Sequence, residues 1–98
     1  MYIIHKTDEF NVWLLNLKDS RAKAKIITRA KRAELGNLGD HHGVGDGVSE
    51  MVINFGPGYR VYFTRRKMVI IYLLIGGDKG SQTQDIKKAK QLAQEIGD

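Results

Sequence analysis

Apolar residues recur along this chain with two different periods, and the changes of period divide it into elements. "YIIH" at 2–5 reads as a short first strand. Thr7 follows as an N-cap, with Asp8 and Glu9 in the first turn, where the helix dipole favours acids. Phe10, Trp13, Leu14 and Leu17 then stand at i, i+3, i+4 and i+7, one stripe of a helix. "KDS" at 18–20 interrupts it, and Asp19 or Ser20 caps a second helix whose stripe is the small-residue set Ala22, Ile26, Ala30 and Ala33. Gly36, just past Leu35, is placed to end that helix in the left-handed conformation. So short a connection predicts an antiparallel helical hairpin.

Residues 36–47, "GNLGDHHGVGDG", carry five glycines and read as a turn-rich connector with little reason to form helix or strand. The period then becomes two. Met51, Ile53 and Phe55 alternate with Glu50, Val52 and Asn54, and Tyr59, Val61 and Phe63 alternate with Arg60, Tyr62 and Thr64. "MVIIYLLI" is apolar on both faces, as an interior strand is, and "GGDKG" ends it. Ser81 and Gln84 form a capping box for a last helix with the stripe Ile86, Ala89, Ala93 and Ile96. The order is β-α-α-β-β-β-α: an α+β domain over 1–98, with a small antiparallel sheet and the helical hairpin on one face. The hairpin covers Met51, Ile53, Phe55, Val61 and Phe63. The opposite face then carries Glu50, Asn54, Arg60, Tyr62 and Thr64. A symmetric turn about Pro57 places Arg60 opposite Asn54, Tyr62 opposite Val52 and Thr64 opposite Glu50.

Composition narrows the chemistry. The chain has no cysteine, which excludes disulfides and thiolate metal sites. The longest apolar run, 68–77, falls far short of the about 20 residues that span a bilayer, and His5 to Glu9 break up any apolar leader. The expectation is a cytoplasmic protein with no membrane partner. A net charge of +5 suggests an anionic partner, nucleic acid or an acidic protein segment. An HH pair without a third ligand at metal-binding spacing gives no metal site, and no cofactor motif is present.

"GNLGDHHGVGDGVSEMVINFGPGYRVYF" followed by "LLIGGDKGSQTQDIKKAKQLA" resembles the RelE/ParE superfamily of type II toxins, and within it the HigB-like addiction-module killer branch. The resemblance runs from "EFNVWLLNLKD" to the last helix. It implies a RelE-like fold with two N-terminal helices on one sheet face. It also implies a co-encoded helix-turn-helix antitoxin in a heterotetramer, operator DNA being met only through that antitoxin. Many such toxins cut mRNA on the ribosome, whereas the ParE side poisons DNA gyrase. Arg60 matches the arginine that contacts the scissile phosphate in RNA-cleaving relatives. Lys79 sits where relatives keep a cation, and Glu50, Tyr59 and Tyr62 fall on family-typical positions. Where close relatives read E-L/M-R-I this chain has "EMVI", so Val52 replaces an arginine.

Metal-free RNA cleavage needs a base for the 2′-OH, charge for the phosphorane, and an acid for the departing 5′-oxygen. The planar guanidinium of Arg60 suits the second task. Lys79 adds charge or acts as the acid, and Glu50, His41 and His42 are alternative bases. The bland alternative is an Arg60–Glu50 ion pair on a polar face. Tyr59 and Tyr62 either stack on bases or pack. Arg21, Lys23, Lys25, Arg29, Lys31 and Arg32 crowd the second helix, and Arg65, Arg66 and Lys67 form a second basic spot. Both are expected to dock RNA phosphates. The leading expectation is thus a ribosome-dependent mRNA endonuclease; the alternative is a gyrase-directed or inactive member that acts by binding alone.

Overall fold

The computed structural model describes residues 1–97. The elements are β1 (Ile3–Lys6), α1 (Asp8–Asn16), α2 (Ser20–Glu34), β2 (His41–Gly45), β3 (Val48–Ile53), β4 (Tyr59–Arg66), β5 (Ile70–Asp78), a 3₁₀ turn (Lys79–Ser81) and α3 (Gln82–Ile96). The class is α+β as expected. The sheet, however, is five-stranded and mixed, in the order β1-β5-β4-β3-β2. β1 runs parallel to β5, with Ile3 opposite Ile70 and Lys6 opposite Leu73, while the other pairs are antiparallel. β1 and β5 are joined by a long crossover that passes through both helices and then β2, β3 and β4, a pairing that period counting alone does not reveal.

Local signals place the helices. The Thr7 hydroxyl accepts from the Phe10 amide at 3.0 Å and donates to the Leu74 carbonyl at 2.5 Å, tying the start of α1 to the sheet. Asp19 accepts from the amides of Arg21 and Ala22 at 2.9 and 3.3 Å and so caps α2. At its other end Gly36 has φ +98°, and the amides of Gly36 and Asn37 return to the carbonyls of Ala33 and Arg32, both at 2.9 Å. This is the paired closure a left-handed glycine permits. The Ser81–Gln84 box does not form. The capping box is instead that of the 3₁₀ turn, built from Asp78 and Ser81, and Ser81 makes no side-chain cap to α3.

Two cores flank the sheet. On one face Phe10, Ile26 and Ala33 of the helices pack on Met51, Ile53, Val61, Phe63, Ile71 and Leu73. On the other, Ala89, Leu92 and Ala93 of α3 pack on Val48, Tyr62 and Leu74. Each fully buried large side chain contributes about 1.5–3 kcal/mol. The face expected to be polar is therefore mostly roofed by α3, and Glu50, Tyr62 and Thr64 lie beneath it at 0–1% exposure.

Three other expectations change. The connector contains β2, because Asp46 and Gly47, at φ 56° and 76°, form a tight hairpin turn into β3. An Asp-Gly pair ahead of an alternating run is the sequence signal for this turn. The β3–β4 register is shifted by two residues. Ile53 pairs with Tyr59, so Arg60 stands opposite Val52 and Glu50 opposite Tyr62. The chain leaves the ladder at Asn54, with the Gly58 amide turning back to the Phe55 carbonyl at 3.1 Å. An even shift keeps every side chain on its face but moves Glu50 one step closer to Arg60.

Finally, β5 continues through the glycines to Asp78 rather than ending at them. Its two glycines serve opposite faces. A Cβ on Gly76 would overlap the Trp13 ring of α1, and one on Gly77 would overlap the Asp85 carboxylate of α3. Gly76→Ala should therefore cost roughly 1–3 kcal/mol, the usual penalty of overpacking. Gly43→Ala, where nothing lies within 4 Å, should change the urea midpoint little. Equal midpoints for the two variants would contradict this account of the doublet.

Candidate functional site

The sheet lines up three groups around one carboxylate. His42, Glu50 and Tyr62 face each other across β2, β3 and β4, and Arg60 sits diagonally beside Glu50. The Glu50 side chain is 1% exposed. Its Oε2 accepts from Gln82 Nε2 at 2.8 Å, from the first turn of α3. Arg60 Nε stands 3.7 Å from the same oxygen, and His42 Nε2 stands 2.9 Å from Oε1. The histidine approach is close but off the line of a good hydrogen bond, which leaves Oε1 without a bonded donor. Removing such a carboxylate from water is costly unless charge and donors surround it. Here an arginine and an amide do so, with a histidine at the rim.

Burial revises one role. Glu50 has no open approach for a hydroxyl, so it does not serve as a base that meets substrate. It lies beside His42, whose side chain remains 58% exposed. A carboxylate next to Nε2 favours the tautomer with its proton there and the lone pair on Nδ1. His41 lies on the other side of β2. It binds the Gly39 carbonyl through Nδ1 at 2.8 Å, and its ring lies 6.1 Å from Phe63. The two histidines are thus separated by the sheet. No group of three metal-ligating side chains occurs among the described residues.

Arg60 keeps 14% side-chain exposure. Its Nη1 donates to the Gly58 carbonyl at 2.9 Å. Together with exposed Lys79 it lines a shallow hollow of about 420 Å³ bounded by Asn54, Phe55 and the Gly56–Gly58 bend. Gly58 brings the two cations together. Its φ is +80°, and a Cβ there would lie 3.3 Å from Arg60 Nη1 and 3.6 Å from Lys79 Cβ. Lys79 is fixed by the 3₁₀ turn, where Asp78 accepts from the Gly80 amide at 2.8 Å. Val52, in the place where an arginine was expected, is 8% exposed and lies directly across from Arg60. The hollow therefore offers a guanidinium and an ammonium, and His42 stands on the far side of the buried carboxylate from Arg60.

No known protein-family model matches the chain. A protein of Haemophilus influenzae (strain Rd), described as uncharacterized, is 52% identical over 94 residues, 96% of this chain and 95% of the relative. The chain belongs to the family of that Haemophilus protein. No helix among the described residues is long and apolar enough to cross a membrane.

The other expected contacts of this family member divide sharply. Arg29 is committed internally. It donates to the carbonyls of Val52 at 2.6 Å, Asp40 at 3.2 Å and Leu38 at 3.3 Å, clamping α2 to β3. Burial lowers its guanidinium from the ordinary range; Asp40 opposes the shift and Arg32 adds to it. Arg66 likewise donates to the carbonyls of Gly97 at 3.0 Å and Ala93 at 3.1 Å, closing the end of α3. Neither is free to dock RNA. Lys25, Arg32 and Lys67 are exposed, as is Arg65, which lies over the Tyr2 ring and donates to its hydroxyl at 3.0 Å. Arg65 is five residues along β4 from Arg60, roughly 17 Å at 3.4 Å per residue, so its basic spot is not part of the hollow. Tyr59 packs edge-on against Trp13 at 6.4 Å. Tyr62 is fully buried and has no face to offer a base. Gln82 and Phe55 are the site residues that pattern reading missed. Gln82 carries no signal beyond its place in a helix's first turn.

Tyr62 also provides a test. Its hydroxyl meets no partner in good hydrogen-bond geometry, and its phenol is held well above the ordinary range, first by burial and then by the charge and hydrogen-bonding reach of Glu50. The folded chain thus keeps this proton more tightly than the unfolded one. The corresponding stability is complete below the ordinary phenol value near 10 and is lost as pH rises past it. Tyr62→Phe should match or exceed the wild type in urea midpoint near pH 7, and its advantage should grow by about pH 11. An advantage that shrinks with rising pH would argue against this burial.

Proposed function

We propose that this protein is a metal-independent endoribonuclease, a type II toxin of the HigB-like branch of the RelE/ParE superfamily that cuts mRNA on the ribosome. The observation that carries this reading is exposed His42 backed by buried Glu50, with Arg60 on the other Glu50 oxygen and Lys79 across Gly58. The hairpin on one sheet face and α3 on the other are compatible with the RelE-like topology that the resemblance implies.

In this reading three side chains share the reaction. His42 Nδ1 takes the proton of the 2′-hydroxyl as its oxygen attacks the adjacent phosphorus. Arg60 stabilises the equatorial oxygens of the phosphorane, and Lys79 protonates the departing 5′-oxygen. The products are a 2′,3′-cyclic phosphate and a 5′-hydroxyl. Glu50 holds His42 and Arg60 in place and never meets the substrate. The cognate partner in this reading is a helix-turn-helix antitoxin in a heterotetramer, which alone contacts operator DNA.

A second reading, a member that acts by binding alone on gyrase or antitoxin, draws on two observations. Arg60 is partly neutralised by Glu50, and Val52 is where an arginine was expected.

One assay separates them. With programmed ribosomes, wild-type protein should cut mRNA. His42→Gln should cut about 10²–10⁴-fold more slowly, the usual worth of general base catalysis. Arg60→Lys keeps the pair with Glu50 but loses the planar fork, and should lose roughly 10²–10³-fold. Both variants should retain the wild-type thermal midpoint within a few degrees. Intact mRNA with the wild type, together with gyrase trapped on DNA, would establish the binding-only alternative.

A further inference from the structure

The hollow beside Arg60 has a neighbour. A second concavity of about 350 Å³ is lined by Lys25, Thr28, Arg32, Ile53 and Asn54, with committed Arg29 in its wall. Exposed Asn54 lines both hollows. Phe55 stands at the junction. Its half-buried ring packs on the main core, which fixes it, and the Lys25 ammonium lies 5.0 Å from the ring centroid. Of the cations here, Lys25, Arg32 and Lys79 are exposed and Arg60 is partly so, whereas Arg29 is spent on three carbonyls.

We propose that the two hollows form one track for single-stranded RNA around the end of the sheet. Phe55 stacks a base beside the phosphate held by Arg60 and Lys79, and Lys25 and Arg32 hold the next phosphates. This rests on the ribonuclease reading of Arg60 and extends it to the flanking nucleotides. A ring carried on a rigid support between two cationic depressions matches the needs of a splayed strand, whose bases expose their faces and whose phosphates turn outward. A duplex keeps its bases stacked on one another and offers nothing to Phe55. The ring is covered by a cation in the free protein. On binding, the base takes the ring face and Lys25 moves to the phosphate, so the ammonium exchanges one weak electrostatic partner for a full charge.

The test is fluorescence anisotropy with a short fluorescein-labelled single-stranded oligoribonucleotide, titrated across salt concentrations. The wild type should bind. A Lys25→Gln, Arg32→Gln double variant should flatten the plot of log affinity against log salt by about 1.4, from two phosphate contacts at about 0.7 each on a single strand. Phe55→Leu, which keeps apolar bulk, should lose affinity roughly tenfold, and Phe55→Trp should restore it. Thermal melts confirm that each variant folds. A wild type that does not bind, or variants that match its affinity and salt slope, would overturn the track. If the variants bind as the wild type does while Arg60→Lys still loses mRNA cleavage, the track falls and the endonuclease reading stands. If binding depends on Phe55, Lys25 and Arg32 but no RNA is cut, the track stands and the endonuclease reading falls.

Discussion

The arrangement of this protein's candidate chemistry depends on one carboxylate that has been taken out of water. Glu50 projects from a central strand onto the face that α3 covers, and its side chain is almost wholly enclosed. A charge in that position is stable only with oriented partners around it. The fold supplies them from three separate elements: Arg60 from β4, Gln82 from α3 and His42 from the edge strand β2. The two groups at the solvent margin inherit their positions from this requirement. Neither His42 nor Arg60 would be held so closely if the anion between them were free to move to solvent.

Much of this was legible in the residues. The capping threonine and aspartate, the helical stripes, the terminating Gly36 and the inward set Met51, Ile53, Val61 and Phe63 all follow from local rules that the packed molecule obeys. The parallel pairing of β1 and the burial of the expected polar face share a cause: each depends on where a distant element lands. Nothing in "YIIH" says that it will lie parallel to β5, because the partner is more than sixty residues away. Tyr62 and Thr64 alternate as a half-exposed strand does, and only the arrival of α3 buries them. The β2 hairpin was a different failure. Its Asp-Gly turn was present in the sequence but was outweighed by the surrounding glycines.

The basic residues illustrate a limit of charge counting. Arg29 and Arg66 sit in the two clusters that composition marks as nucleic-acid surfaces, yet both spend their donors on backbone carbonyls. Arginine is well suited to that work, since its fork satisfies several acceptors at once. Lysines nearby, with a single compact charge, remain at the surface. A formal charge of +5 therefore overstates what the molecule presents to a polyanion and misplaces part of it.

The glycine doublet of β5 has a consequence for how the molecule varies. Trp13 and Asp85 press on adjacent residues of one strand from opposite sides, so the two layers meet across a single peptide unit. Any enlargement at Gly76 must be answered in α1, and any enlargement at Gly77 in α3. A change that moves the strand to accommodate one helix crowds the other. Enlargement at this waist is therefore admissible only as coordinated replacement in three elements.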